Sequence, residues 1–386
     1  MSIHGIDIVK IIGARMRYLH YKIFITFLIC SWLGIPMRSI ASVPEDFNYS
    51  NIVNTTLDLS SLPEKTAIWD GSKMFYGEVP SGRVVGGYMY LTCLSDTDVT
   101  NGACPVNKSG WGKWNGESVK LKFVEERTHI SKILILHGWI NTLCGPTDDI
   151  ADVASSCDAP WAQPKLYIYP DQLKKLFGGI WKAHLKLQVG EHDGGAGSYD
   201  NGLMDAYMSS DITLHVTDNN NIRIWLPQFH GSTANVVMPV MPAYWTLNKP
   251  GQVSAEKVIE TCLYDGYSSN SKSFEVTLNS NYTEPATQDF LLQNSSAPTS
   301  KPLHYQVIAS PPGQAGAMQR LKPGVTQTYV GINTANIRQV LMPGLQTPVA
   351  CVPWPIRIKL LPFDLSRQAA GHYSGTLSII FTPSLD

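Results

Sequence analysis

The sequence predicts an all-β fold: two immunoglobulin-like β-sandwich domains in tandem. Three observations carry that prediction. Short runs rich in Val, Ile, Thr and aromatic residues alternate apolar with polar positions, the period-two pattern of half-buried strands. Glycine (31) and proline (25) punctuate the runs, as frequent turns require. Only 16% of the 386 residues are charged against 44% hydrophobic, where about 25% charged is usual for a soluble domain. Uncharged polar residues, glycine and proline must therefore cover the surface. A chain of this length suggests about two domains, and its apolar content is too high for a disordered chain.

Residues 1–41 read as a secretory signal and stand outside the fold. Lys10, Arg15, Arg17 and Lys22 precede the apolar run Ile23 to Leu33, and Ser39-Ile40-Ala41 offers small residues before a cut, the three-part layout of such signals. The apolar run is short of the roughly 20 residues that a membrane-spanning helix needs. Met16 offers a second start. The signal takes with it five basic residues and one acid, so 30 and 31 become 25 and 30, a net charge of −5. That balance excludes a general nucleic-acid binder, which needs a basic stripe.

Cys30 lies in the signal, and Cys93, Cys104, Cys144, Cys157, Cys262 and Cys351 remain. An even number in an exported chain implies disulfides. Several connectivities are open; the spacing favours Cys93 with Cys104 and Cys144 with Cys157, leaving Cys262 and Cys351 for each other. No C-x-x-C spacing points to zinc.

The first sandwich begins with expected strands at Val84 to Leu94 and Val119 to Glu125. Ile130 to Trp139, Lys165 to Tyr169, Trp181 to Val189, Asp211 to Val216 and Ile222 to Leu226 follow, the last two joined by the polar turn Asp218 to Asn221. Pro170 to Phe177 reads as a short helical turn. His230-Gly231-Ser232-Thr233 opens a linker. The second sandwich takes Ala234 to Val240, Val258 to Leu263, Ser273 to Leu278, Leu303 to Ala309, Thr347 to Val352, Ile356 to Leu360 and Tyr373 to Thr382. Gln293 to Lys301 and Pro311 to Gly324 read as loops. The division is 1–41 signal, 42–229 first domain, 230–232 linker and 233–386 second domain.

Chemistry is sparse. G-x-S-x-G, H-E-x-x-H, a P-loop and a dinucleotide fingerprint are all absent from the sequence. Gly194-Gly195-Ala196-Gly197 does not open a helix, so it lacks the amide cluster that phosphate needs. Glu191-His192-Asp193 are adjacent and point different ways along a strand, as do the pairs Glu125-Glu126 and Asp148-Asp149. Neither arrangement makes a metal site or an acid/base couple. Trp111 and Trp114 sit in a Gly-rich loop where a ring could stack on a sugar; Trp181 and Trp225 read as core. No catalysis and no cofactor are expected, and such an exported protein is expected to bind something.

Several blocks carry a resemblance. They are Asn101-Gly102-Ala103-Cys104-Pro105, Phe177 to Leu187 (FGGIWKAHLKL), Asn221 to Phe229 (NIRIWLPQF), Cys262 to Ser271 (CLYDGYSSNS), Cys351 to Pro355 (CVPWP), and the end from Gly371-His372-Tyr373-Ser374-Gly375 to Phe381-Thr382-Pro383-Ser384. From about residue 80 onward, in this order, they resemble the minor tip subunits of the alternate chaperone–usher fimbriae. That family includes the colonization-factor minor adhesins of enterotoxigenic Escherichia coli and the cable-pilus minor pilin of Burkholderia.

The resemblance implies a receptor-binding adhesin domain followed by a pilin domain. The pilin domain is an incomplete fold, completed by a donor strand from a periplasmic chaperone and later from the major pilin subunit. An outer-membrane usher and a host-cell glycan or glycoprotein receptor are the other implied partners, and the fimbrial tip is the implied location. It also implies receptor-site positions. Relatives carry arginines just after the W-x-A-x-L-K-L strand, where this chain has Glu191 and His192. A further basic position falls near Tyr88, and Arg127 could supply charge unless held by its neighbours Glu125 and Glu126. Replacement of a basic patch by neutral and acidic groups disfavours an anionic receptor there and leaves a purely structural initiator as the alternative. The Gly194 to Met208 insertion would reshape that surface.

Overall fold

The structure is a computed structural model that describes residues 6–11, 48–76, 89–107, 118–143, 145–151, 161–193, 199–242 and 251–384, with the backbone alone for 6–11, 76, 191–193 and 199–204. Tyr88, Trp111, Trp114, Cys144 and Cys157 lie outside the described residues.

The first domain is built on strands β1 (Tyr49–Asp58), β2 (Thr66–Asp70), β3 (Met89–Cys93), β4 (Val119–Glu125), β5 (Ser131–Thr142), β6 (Trp161–Ile168), β7 (Gly179–Asp193) and β8 (Tyr199–Thr217). One hydrogen-bonded path runs β1-β8-β7-β4-β5-β6-β2, with β3 added to β7. Alternation decides the inner face. Leu121 and Phe123, Leu134 and Leu136, and Leu185 and Leu187 are all buried, with half-exposed residues between them, while Leu166, Tyr167 and Ile168 are buried in succession. Each fully buried side chain of this kind stabilises the fold by about 1.5–3 kcal/mol. Trp181 fills the centre, its indole N–H donating to the Phe177 carbonyl at 2.9 Å.

The sheet curls until its two ends meet. The Asn51 amide on β1 donates to the Ile68 carbonyl on β2 at 3.1 Å. The Trp69 indole donates to Ser210 Oγ at 2.7 Å, and Ser210 in turn donates to Asn51. This clasp closes the sandwich. Neither β1 nor β2 is foreseen from the sequence. Only Val53 and Leu57 of β1 are buried, whereas Ile52 is 82% exposed, so the hydrophobic pattern that marks a strand is nearly missing.

Two expectations of sequence are corrected at the hairpin and the boundary. The Gly194 to Met208 stretch is not all loop, since Tyr199 to Met208 extends β8 along β7. Strand β9 (Arg223–Trp225) does not form a hairpin with β8; it pairs with β11 (Cys262–Tyr264). Ile222, Ile224 and Leu226 sit in the second domain's core. The junction therefore falls at Asp218 to Ile222, not at 230–232, where Leu226 bridges Gly231 inside the second domain.

The second domain continues with β10 (Gln252–Ile259), β12 (Ser273–Ser280), β13 (Asp289–Asn294), β14 (Leu303–Ala309), β15 (Thr326–Val330), β16 (Arg338–Val340), β17 (Val349–Pro353), β18 (Ile356–Asp364) and β19 (Tyr373–Pro383). The larger path runs β10-β18-β14-β13-β19-β12-β15, and a smaller sheet runs β9-β11-β17-β16. The expected strand Val258 to Leu263 is two, because the chain changes sheets at Glu260 and Thr261. The expected loops each yield some strand: Gln293 and Asn294 end β13, and Gln319–Leu321 pairs with β14. Ala234 to Val240 is extended, with Ala234, Val236 and Met238 buried, but among the described residues it enters no multi-residue ladder. Pro239 removes one of the amides a ladder would use.

Disulfides join Cys93 to Cys104 and Cys262 to Cys351, with Cα separations of 5.1 and 5.6 Å. Among the described residues no helix is long and apolar enough to cross a membrane.

Candidate functional site

Three places carry functional chemistry: the far end of the β7–β8 hairpin, the joint between the domains, and the edge of β19.

The hairpin sets the long axis of the first domain. Its fifteen-residue β7 begins beside the second domain, and at about 3.3 Å per residue it travels roughly 45 Å. Gly178 marks the near end: a Cβ there would lie 1.8 Å from the Gly266 carbonyl oxygen. Gly190 marks the far end, where the Tyr90 ring lies across it and would meet a Cβ at 2.1 Å. Glu191 pairs in register with Met89 and Gly202, and His192 with Asp200. The register shifts twice, between Gln188 and Gly190 and between Glu191 and His192, and such irregularities bend a strand and re-aim its side chains. Glu191 and His192 thus occupy the end remote from the second domain. Met89, the chain neighbour of Tyr88, is beside them.

Arg127 is elsewhere, and its assignment to a receptor patch is corrected. It lies in the β4–β5 turn at the near end. Its guanidinium donates to the carbonyls of Ser269, Ile332 (3.2 Å) and Ala335 (2.6 Å), all in the second domain. Glu126 pairs instead with Lys182 at 2.9 Å. Burial pulls the Arg127 pKa below its ordinary value, opposed by the charges of Asp265 and Glu125. A guanidinium stays charged under such a pull, so it is a permanent bolt.

Two fully buried carboxylates organise the joint. Glu125 accepts from the Thr128 amide and hydroxyl, both at 2.6 Å, and from the Arg127 amide at 3.1 Å. Asp265 accepts from the amides of Tyr267 and Ser269 at 2.8 Å and from the amide and hydroxyl of Ser271 at 3.1 and 2.7 Å. Buried carboxylates are tolerated only when bonded this fully. The loop so shaped reaches the first domain: Ser268 Oγ donates to the Gly178 carbonyl at 2.6 Å, and the Asp218 amide to that of Gly266 at 2.8 Å. His215 Nδ1 and the Tyr267 hydroxyl are 2.7 Å apart, and burial, with Asp265 adding, pushes the Tyr267 phenol up to about 12. Apolar residues of the second domain, Met342 and Val349 among them, join the first domain's core cluster. In the sequence CLYDGYSSNS stands only as a likeness, and its role at the joint is missed. The signal that could have found it is an Asp followed by Gly and three Ser, a composition suited to side-chain-capped turns.

The third place follows from a strand that changes sheets. β13 pairs with β19 only through Gln293 and Asn294, then leaves to pair with β14. The β19 edge from Gly375 to Ile380, opposite β12, is thereby left without β13. Residues Ile6–Ile11 lie along it in parallel register, Ile6 with Gly375 through Ile11 with Ile380. Those residues belong to the expected signal. Beneath the edge, Leu377, Ile379 and Phe381 point into the core.

Comparison with known proteins agrees with this layout. The family model for the first domain of CfaE, a CFA/I fimbrial subunit, matches residues 37–219, and that for its second domain matches 222–385. The chain is 32% identical over 315 residues to the CFA/I fimbrial protein CfaE of Escherichia coli, covering 77% of this chain and 80% of that one. It superposes with a TM-score of 0.64 on the crystal structure of CfaE, the adhesive subunit of CFA/I fimbria of enterotoxigenic Escherichia coli, at 22% identity over 87% of this chain and 98% of that chain. A chain from a chaperone–tip adhesin complex of CFA/I fimbriae biogenesis gives a TM-score of 0.62 at 26% identity, over 87% and 97%. This chain belongs to the CfaE family of CFA/I fimbrial subunits.

Proposed function

We propose that this protein is a fimbrial tip adhesin that also initiates pilus assembly. The observation that carries the assembly role is the β19 edge from Gly375 to Ile380, which only residues of the expected signal cover among the described residues. Once the signal is gone, the backbone amides and carbonyls that face it along this edge are unpaired, above the apolar residues Leu377, Ile379 and Phe381. An open edge of this kind is a template for another strand, and a donated strand satisfies ladder and apolar groove together. A periplasmic chaperone fills it first, and the major pilin subunit replaces that strand at the usher. The first domain meets the host receptor at the end remote from this edge, near Glu191, His192 and Tyr88. The protein is an adhesive structural subunit, not an enzyme, and works at the cell surface after passing through the periplasm.

The test is thermal unfolding of the purified mature chain with and without a peptide copying the N-terminal strand of the major pilin. A rise in Tm with that peptide, and none with a scrambled one, is expected; equal curves would count against strand acceptance. A second reading, an initiator without a receptor, is favoured by one observation: Arg127, a basic candidate for the patch, is committed to the joint. Adherence of fimbriate cells after deletion of the first domain separates the two readings.

A further inference from the structure

The smaller sheet of the second domain is a layer with one face for each domain. Ile224 of β9, Leu263 of β11 and Val352 of β17 belong to the second domain's core cluster. Trp225, Cys262, Tyr264, Val349 and Cys351 of the same three strands belong to the cluster of the first domain. Neighbours on a strand face opposite sides, so the two memberships are two faces. The Cys262–Cys351 bridge lies on the face turned to the first domain. Cys262 is 2% exposed and Cys351 0%.

The bridge also stands at the roots of both joint loops. β11 runs directly into the Asp265 to Ser271 loop, and the Met342 to Thr347 stretch leads into β17. Ser269 Oγ donates to the Ala350 carbonyl, beside Cys351, at 3.1 Å. From the first domain, Lys132 Nζ donates to Thr347 Oγ1 at 3.1 Å, and the Thr128 carbonyl accepts from the Gln339 amide at 3.1 Å. A covalent bond between β11 and β17 therefore holds in register the segments that the first domain grips. Two unjoined thiols need more room than two bonded sulfurs, and a close-packed cluster has little to give. Exchange with an outside thiol requires a thiolate to reach one of the sulfurs. Docking of the first domain denies that approach.

We propose that the Cys262–Cys351 disulfide is a redox gate on the joint. The bridge closes first, the domains dock against it second, and the docked first domain then shields it from reduction. Closure turns two thiols into one S–S bond. Their two hydrogens pass to the disulfide of an oxidant, a thiol oxidase or oxidised glutathione, which leaves as two thiols. The two cysteines are 89 positions apart, and the later one is Cys351 of 386 residues. Closure thus waits until the chain is nearly complete, and docking is the late step. Reciprocity completes the device: whatever docking adds to the stability of the bridge, the bridge adds to docking. The gate stands apart from the adhesin reading, since it needs no receptor and no donor strand.

The experiment is reduction of the folded mature chain by dithiothreitol, with released thiols trapped by N-ethylmaleimide and assigned to each bridge by mass spectrometry. Arg127→Ala loosens the joint and should speed reduction of Cys262–Cys351 by about tenfold or more, because access follows local opening. Cys93–Cys104, equally buried but within the first domain, should keep its rate. An unchanged Cys262–Cys351 rate, or equal acceleration of both bridges, overturns the shield. The converse arm is amide exchange in the double variant Cys262→Ser with Cys351→Ser. The Asp218 amide, bonded to the Gly266 carbonyl at the joint, should exchange faster while β5 and β13 keep their protection. Unchanged Asp218 exchange overturns the bridge's hold on the joint. The order is read by refolding the reduced chain with oxidised glutathione. The bridge should close before the Asp218 amide becomes protected, and protection that comes first overturns the gate. Should the double variant fail to fold, the first and third arms keep the native cysteines and decide the matter.

Discussion

Arg127 and Ala335, 208 positions apart in the chain, are joined by a 2.6 Å hydrogen bond from the guanidinium to the backbone carbonyl. The same side chain reaches Ile332 and Ser269. A turn of the first domain is thus tied to two separate loops of the second. Arg127→Ala should strip three carbonyls of their donor and destabilise the joint by about 2–3 kcal/mol. Differential scanning calorimetry should show it as one transition splitting into two. Arg127→Lys, with a single ammonium in place of the planar fork, should recover only part of the loss.

Gly178 faces the joint from the other side. A methyl there would sit 1.8 Å from the Gly266 carbonyl oxygen, so Gly178→Ala forces backbone apart. The expected cost is about 2–3 kcal/mol, the scale of overpacking a tight contact. Amide exchange should quicken in the Asp265 to Ser271 loop and stay unchanged in β13 and β14. Uniform quickening would mean that the contact does not act locally.

Acid should weaken the second domain through Asp289. Burial pushes this carboxyl up, but hydrogen bonds from Thr287, Gln306 and His304 and the charge of Arg320 outweigh burial and hold it below its ordinary value. Arg320 donates to it at 2.8 Å. A lowered folded pKa means stability that is complete above the unfolded value of about 4 and is lost as pH falls through the folded one. Urea midpoints at pH 6 and pH 3 should differ less for Asp289→Asn than for the wild type.

The Cys93–Cys104 bridge spans eleven residues. Replacing both cysteines with serine should cost about 2–3 kcal/mol. Because Cys93 ends β3, which pairs with β7 from Leu187 to Glu191, the loss should appear at the far end of the hairpin. Faster amide exchange at Met89 to Cys93 is the expected readout. Exchange unchanged there would place the bridge's role elsewhere.

Strands with a buried alternating face were legible in sequence. Val119 to Glu125 has the predicted bounds because Val119, Leu121 and Phe123 alternate with lysines and Glu125 precedes a turn. β1 was not legible, because it lies at the sheet's border with two inward apolar residues and gains its place from the Asn51–Ser210–Trp69 clasp, a contact over a sequence separation of 141 and 159. The domain boundary was misread for a similar reason. Arg223 to Trp225 follows β8 after a polar turn and looks like its hairpin partner, yet its partner is Cys262 to Tyr264, tens of residues on. The site residues divide along the same line. Glu191 and His192 lie near the end of β7, a position that follows from the strand itself. Nothing local in Glu125-Glu126-Arg127 reveals that the arginine finds three carbonyls across the joint.

β1 lies along β8 in parallel for ten positions, from Tyr49 to Asp58, and the clasp fastens it. β1 is therefore already engaged within its own domain. On the proposed assembly role, a subunit that receives a strand at β19 while β1 stays so committed is joined to the polymer through one edge, and one edge suits the end of a series.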